Sequence, residues 1–587
     1  MDANIQNRIQ KWLDGPYDSS TKAEIRLLLK ENPAEIADAF YTDLSFGTGG
    51  LRGIMGIGTN RMNIYTVRTA TQGLANYIQE HRIGTHRIFI GYDIRLHSRL
   101  FAEESARVFA GNGIQVLITK EVCPTPLASY ACRAYECSAA IMITASHNPS
   151  QYNGYKVFWS DGSQIVAPHD AGIFLEMQRI QNPGQIRIEA LDSPLIQWIG
   201  DEIDQKYLEE TCSTAAHQCQ LRLIYTNLHG TGLRLLPKAL RRQGFSSISF
   251  VEKQLPFDGH FSNAPSPNPE EELAMKAGCE QLMKEQADLL LATDPDADRL
   301  GVVVRHNGAP IKLNGHETAA ICLEYLASCY ASNGAAANMA FVKTIVTSEL
   351  TRKIALKFSI QCHDVLTGFK YIAEKIREWE KAGGPQFLFG AEESCGYLAN
   401  TSVRDKDAIS AGCLVCLAAE NAKKQNLTLI DRLHKLYRIH GVHRQSLKSL
   451  KFADGRQGMQ YIRSAMDKLR KTPITDISGQ KVIRCDDYLQ QISIETATHR
   501  SIPLSLPIAD VMCYWLADDS KIVIRPSGTE PKIKIYAETC ETPADYIEES
   551  IARCDQKLIT LIDAFKEQLP KELSNNKSKH YAAPKPL

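Results

Sequence analysis

Ala139-Ala-Ile-Met-Ile-Thr-Ala-Ser-His-Asn-Pro149 carries an apolar, β-prone run into a small polar loop that a proline stops. Strand ends are where rigid scaffolds present reactive side chains, so Ser146, with room and hydrogen-bonding groups beside it in Ala145, His147 and Asn148, is a candidate nucleophile. A serine next to a histidine is weak evidence by itself, because neighbours on an extended chain point to opposite faces. A second loop supplies the companion chemistry. Thr293-Asp-Pro-Asp-Ala-Asp-Arg299 lies between the apolar runs Leu289 to Ala292 and Leu300 to Val304. On near-extended backbone the alternating Asp294, Asp296 and Asp298 project to one side, and three carboxylates facing one point call for a hard divalent cation, Mg2+. An EF-hand would need Gly in place of Arg299 and Glu in place of Arg305, so that reading is excluded.

Two further loops follow the same plan. Gly390-Ala-Glu-Glu-Ser-Cys-Gly-Tyr397 comes after the apolar Phe387 to Phe389 and offers carboxylates and a hydroxyl of the kind sugar hydroxyls require. Arg525-Pro-Ser-Gly-Thr-Glu-Pro-Lys532 sits between Lys521 to Ile524 and Ile533 to Tyr536. There Arg525 forks onto phosphate oxygens, Ser527 and Thr529 add hydroxyl donors, and Gly528 lets backbone amides approach an anion. No GxxxxGK[ST] occurs, which leaves P-loop kinase chemistry without support.

In this order and at these separations the four motifs resemble those of the α-D-phosphohexomutases, the phosphoglucomutase and phosphomannomutase superfamily, over about residues 40 to 540. Phe46-Gly-Thr-Gly-Gly-Leu-Arg-Gly53, Gly91-Tyr-Asp-Ile-Arg95 and Leu228-His-Gly-Thr-Gly232 agree with it, and the Gly-rich loop, Arg404-Asp-Lys-Asp407 and the length are closest to the long phosphoglucomutase and phosphopentomutase branch. The resemblance implies three consecutive mixed α/β domains plus a smaller C-terminal α+β domain around a central cleft. It implies Ser146 as phosphoryl carrier, with Mg2+ held by Asp294, Asp296, Asp298 and a phosphoryl oxygen on Ser146. Arg299 and Arg52 would add positive charge at the reacting phosphoryl. Glu392 and Ser394 would grip sugar hydroxyls, with Thr367 and Lys406 completing the pocket. Arg525, Ser527, Gly528 and Thr529 would hold the phosphate that is not reacting. His147 and Lys156 are equal candidates for the general base.

The implied reaction interconverts glucose 1-phosphate and glucose 6-phosphate through a phosphoserine enzyme, with glucose 1,6-bisphosphate as intermediate and activator. Mannose and pentose phosphates are the rival substrates. The alternatives are a hexose bisphosphate synthase and a non-catalytic phosphosugar-binding protein of this superfamily, and the intact Ser146, three aspartates and phosphate cradle argue against the latter. Ala391, where relatives often carry an aromatic residue, and Gly49, where many have Ala or Ser, depart from the family pattern at the border of the sugar site and bear on substrate preference.

Composition bounds the rest. A chain of 587 residues is too long for one core and suggests about three to five domains. Lys plus Arg equals Asp plus Glu at 67 each, so no global field draws the chain to nucleic acid or an anionic membrane. Sixteen scattered cysteines and a polar N-terminus point to the cytoplasm. Cys413-Leu-Val-Cys416, inside the helix-like Ala408 to Ala422, reads as a core pair rather than a metal or redox site. Strand and helix signals alternate from Arg87 onward and the pattern changes near Gly441, giving expected domains at 1–200, 201–312, 313–441 and 442–570. The tail 571–587 is expected to be disordered.

Overall fold

The computed structural model describes residues 2–44, 50–81, 84–212, 218–331, 338–452, 456–527 and 531–570. Phe46 to Gly49 of the Gly-rich loop, Gly528 and Thr529 of the phosphate loop, and the tail 571–587 lie outside them. The chain forms two compact units, Met1–Thr344 with Phe358–Ile430, and Ile345–Lys357 with Asp431–Leu587.

The first unit holds three sheets. In the first, the strands run in the order Gly50–Ile54, Tyr152–Trp159, Ala139–Ile143, Arg87–Tyr92, Gln115–Thr119, Ile196–Ile199. The four strands from Ala139–Ile143 outward are parallel, as the alternation of strand and helix signals predicts. Tyr152–Trp159 instead runs antiparallel to Ala139–Ile143. The eight residues between them, 144–151, are too few for a helical crossover, so the chain can only turn straight back. Ala139–Ile143 is buried along its whole length, the burial expected of a continuous apolar strand covered on both faces. The helices Ile64–Glu80 and Ser98–Gly111 pack in the same core, the former opened by an Asn63 capping box with Thr66.

The second sheet runs Ala309–Leu313, Leu300–His306, Leu289–Thr293, Leu223–Thr226, Ile248–Phe250, and the third runs Gln361–Val365, Met339–Thr344, Gln386–Glu392, Gly396–Leu398. Each repeats the device of the first. Leu289–Thr293 turns back antiparallel into Leu300–His306, and Gln386–Glu392 into Gly396–Leu398. The three polar motifs of this unit are therefore the turns of three hairpins. Backbone hydrogen bonds tie the second hairpin to its surroundings: Thr125 N to Asp296 O at 2.8 Å, Leu300 N to Cys395 O of the third hairpin at 3.0 Å, and Ala408 N to Ala297 O at 3.3 Å.

In the second unit an antiparallel sheet runs Val442–Lys451, Lys532–Glu541, Lys521–Pro526, Met512–Leu516, Gln480–Asp487, Ile492–Glu495, Ser501–Pro503. The helices Arg456–Lys471 and Ile547–Glu567 share its core. Here too the motif falls between antiparallel strands, because Lys521–Pro526 pairs with Lys532–Glu541. Cys413 and Cys416 are buried in the helix Ala408–Lys423. Among the described residues no helix is long and apolar enough to cross a membrane.

Candidate active site

Ser146 sits at the turn of the first hairpin with φ +52°, a left-handed conformation that non-glycine residues adopt at a cost. Two contacts hold it there. Its N–H donates to Thr144 Oγ1 at 2.8 Å, and the Arg95 guanidinium gathers the carbonyls of the loop. Arg95 Nη1 donates to Pro149 O at 2.9 Å and Tyr152 O at 3.0 Å, and Nη2 donates to Ser146 O and Asn148 O. Gly154, on the returning strand, leaves no space for a side chain, since a Cβ would lie 2.5 Å from Thr144 O. The turn brings His147 Nδ1 to 3.2 Å from Ser146 Oγ, which the opposite faces of an extended pair would forbid. Burial, followed by Arg299 and Arg52, pushes the His147 imidazole well below its ordinary value, so the ring is neutral.

Ser146 Oγ donates to Asp294 Oδ2 at 2.6 Å. Asp294, Asp296 and Asp298 are all buried, with carboxylate oxygens within 4.8 Å of one another. The extended backbone expected between them is not what brings them together. The segment is a tight turn in which Ala297 has φ +54°, and Asp294 Oδ1 accepts the N–H groups of Asp298 at 3.1 Å and Arg299 at 3.0 Å. Thr125 Oγ1 fixes Asp296 at 2.7 Å. Asp296 Oδ1 and Asp298 Oδ1 are buried with no hydrogen-bond partner. Two orphaned oxygens in an all-oxygen donor set fit a hard divalent cation. Like-charge crowding is evident in Asp294, whose carboxyl is raised well above its ordinary value by burial and then by Asp296 and Asp298.

Cations surround the cluster. Lys156 Nζ donates to Asp296 Oδ2 at 2.7 Å and Asp298 Oδ2 at 2.9 Å. Lys406 Nζ lies 3.3 Å from Asp298 Oδ2 and 3.1 Å from Asp405 Oδ1. Burial would lower the Lys406 ammonium, but Asp298 and Asp405 outweigh it and hold it raised. Arg299 Nη1 pairs with Glu270 at 2.8 Å, and Arg52 Nη1 donates to Asn148 Oδ1 at 3.1 Å. Ser146, His147, Lys156, Arg299, Arg52 and the three aspartates thus share one neighbourhood.

The third hairpin contributes Glu392, buried at 6% exposure, whose Oε1 accepts Gly368 N at 3.0 Å. That bond ties the Glu392 loop to the bend carrying Thr367. Burial pushes the Glu392 carboxyl up to about 7 despite Lys406. Ser394 is half-buried in the hairpin turn. In the second unit Arg525 is half-buried and Ser527 is buried, with Ser527 N donating to Lys532 O at 2.8 Å.

Four segments match successive parts of one family, phosphoglucomutase/phosphomannomutase: alpha/beta/alpha domain I over 43–183, domain II over 205–308, domain III over 314–437 and the C-terminal domain over 515–550. A phosphoglucomutase of Staphylococcus haemolyticus (strain JCSC1435) is 37% identical over 506 residues, 85% of this chain and 90% of that protein. The chain belongs to this family. A second relative, a phosphoglucomutase of Staphylococcus aureus (strain MSSA476), is 34% identical over 530 residues, 89% of this chain and 94% of that protein. The fold is shared with a phosphoglucomutase/phosphomannomutase family protein from Burkholderia thailandensis, at TM-score 0.65 and 16% identity over 90% of this chain and 97% of that one. As a family member the chain is a phosphosugar mutase, an enzyme of the isomerase class. Arg95 is visible in the sequence at a strand end, in Gly91-Tyr-Asp-Ile-Arg95, although its clamp on the serine loop is not. Thr125 and Glu270, which support Asp296 and Arg299, stand in no motif and escape a reading of the sequence.

Proposed function

We propose that this chain is a phosphoglucomutase that interconverts glucose 1-phosphate and glucose 6-phosphate, and that Ser146 carries the phosphoryl group between turnovers. The observation that carries the reading is the Ser146 hydroxyl aimed at Asp294 inside a buried carboxylate cluster, in a chain whose curated relatives are phosphoglucomutases. Phosphoryl transfer needs in-line positioning and neutralisation of oxygens that repel an incoming nucleophile. Asp294, Asp296, Asp298 and Ser146 would hold Mg2+, which when bound neutralises charge on the transferring phosphoryl. Arg299, held by Glu270, and Arg52 add fixed positive charge around Ser146.

In the forward half-reaction the sugar hydroxyl forms an O–P bond as the Ser146 O–P bond breaks, and the hydroxyl proton ends on Ser146 Oγ. Glucose 1,6-bisphosphate is then held while it turns round, and it also serves as the activator that loads Ser146. On return Ser146 Oγ attacks the other phosphate as that phosphate's O–P bond to the sugar breaks, and the Oγ proton, taken by His147 Nδ1 beside it, passes to the departing sugar oxygen. Lys156 donates to two carboxylates and so acts as a fixed cation rather than as the base. Glu392, Ser394, Thr367 and Lys406 hold sugar hydroxyls in either orientation, and Arg525, Ser527, Gly528 and Thr529 hold the distal phosphate. No disulfide joins any of the sixteen cysteines, which suits the cytoplasm.

The test is kcat/KM for glucose, mannose and ribose 1-phosphates with catalytic bisphosphate, together with intact mass of the protein and of Ser146→Ala. Glucose is expected to lead, with one phosphoryl on the wild type and none on a folded, inactive Ser146→Ala. A clear lead for ribose or mannose, or full activity of Ser146→Ala, overturns the reading.

A further inference from the structure

The second unit buries a polar cluster that the mutase chemistry does not use. Val442–Lys451 and Lys532–Glu541 pair antiparallel with His443 opposite Cys540 and Gln445 opposite Glu538. Side chains two apart on a strand, and those directly opposed, lie on one face, so these four share it. His443 Nδ1 donates to Glu538 Oε1 at 2.9 Å, and the other ring nitrogen, Nε2, lies 3.5 Å from Cys540 Sγ. A thiol, an imidazole and a carboxylate in series are the arrangement by which a nucleophile is activated and its base is oriented.

The carboxylate is held from several sides. Glu538 Oε1 accepts Ser348 Oγ at 2.6 Å, Glu349 N at 3.0 Å and Gln445 Nε2 at 3.2 Å. From the next strand Lys521 Nζ lies 3.6 Å from Glu538 Oε2 and 2.8 Å from Glu349 Oε1. On the sulfur side, Lys353 of the helix Glu349–Lys357 places Nζ 3.8 Å from Cys540 Sγ, and the same ammonium lies 3.4 Å from both His440 O and Asp519 Oδ2. The sulfur therefore faces an imidazole and an ammonium. Burial would lower the His443 imidazole, but its bonds to Cys540 and Glu538 outweigh this and raise it to about 9, so it carries charge at neutral pH. His443 and Glu538 are buried, whereas Cys540 is partly exposed.

We propose that Cys540 is a nucleophilic thiol site that exchanges with low-molecular-weight disulfides such as glutathione disulfide, with His443 as the cation beside the attacking sulfur and Glu538 as the group that orients His443. In the step the Sγ proton leaves to water and Sγ, held beside the charged His443 ring, attacks one sulfur of the disulfide. A new S–S bond forms as the old one breaks, and the departing thiolate keeps the electron pair and recovers the proton. Cys540 is oxidised, the small disulfide is reduced, and no other oxidant enters.

Exposure alone would rank Cys329 first, since it is the exposed cysteine of the chain. The full-length protein is incubated with glutathione disulfide at pH 7, digested, and followed by mass spectrometry at both positions. Cys540 is expected to react about tenfold faster than Cys329. In His443→Gln the Cys540 rate is expected to fall to the Cys329 rate while Cys329 itself is unaffected. The wild-type comparison decides even where the variant does not fold. Cys540 reacting no faster than Cys329, or an unchanged Cys540 rate in folded His443→Gln, overturns the proposal.

Discussion

Arg95→Met should release the Ser146 loop, and the cost can be worked from its contacts. Neither Arg95 nor Asp93 exposes any of its side chain to solvent, and they pair at 3.5 Å. The guanidinium also serves four loop carbonyls. Methionine keeps most of the aliphatic stem and removes every donor. Asp93 retains Arg95 N at 2.9 Å and Ser98 Oγ at 2.7 Å but loses its counter-charge. Breaking one side of a buried ion pair costs about 3–5 kcal/mol, and the carbonyl bonds overlap with that figure because the same group makes them. At about 1.4 kcal/mol per tenfold, the amides of residues 144–152 should lose about two to four powers of ten in hydrogen-exchange protection. Exchange is the right assay because one unfolding free energy is ill-defined in a multidomain chain. Asp93→Asn added to Arg95→Met removes the stranded charge and should restore part of the protection, whereas turnover stays low because the left-handed turn at Ser146 is still unclamped. Arg95→Lys should fall between, since an ammonium has three donors for four carbonyls. Exchange within tenfold of wild type together with normal turnover in Arg95→Met would refute the clamp.

Asp296→Asn should lower kcat by about a hundredfold or more, the scale on which a preorganised charge-stabilising group acts, with little change in KM; chelator should mimic it, and undiminished turnover in excess chelator would count against a metal. Arg525→Ala should chiefly raise KM, because it grips the distal phosphate in ground and transition states alike; steady-state kinetics showing a collapsed kcat at constant KM would contradict that role. Glu392 has its carboxyl raised from 4.5 to about 7. Its protonation therefore favours the fold fully below about pH 4.5, and that contribution is lost as pH rises to about 7, amounting to about 3 kcal/mol. Glu392→Gln should accordingly raise the melting temperature at pH 8 more than at pH 5, and an equal shift at both would refute the raised carboxyl.

Read without a structure, the chain discloses most of its regular elements and all four motif loops, because both signals are local. Apolar runs such as Ala139 to Ile143 and Leu289 to Ala292 are long enough to declare buried strands, and the polar stretches that interrupt them declare turns. Strands whose pattern is polar escape that reading. Gln361–Val365, Val442–Lys451 and the segments between 480 and 503 are identified by their neighbours in a sheet rather than by their own composition. Tyr152–Trp159, although buried, carries Asn, Gly and Lys where an apolar run would be sought.

What the tertiary structure decided is which distant residues meet. The Ser146 hydroxyl reaches Asp294 across 148 positions, and Lys156 reaches Asp298 across 142. The helix Glu349–Lys357 belongs to the second unit although the strands on either side of it belong to the first, which no order of elements announces. The carboxylates converge through a turn with a left-handed Ala297, where local reasoning supplied an extended chain. Periodicity follows from the backbone geometry of a few residues and is written in the sequence; contacts such as the Arg95 clamp or the Cys540, His443 and Glu538 series depend on how sheets and helices pack, which is set by the whole chain at once.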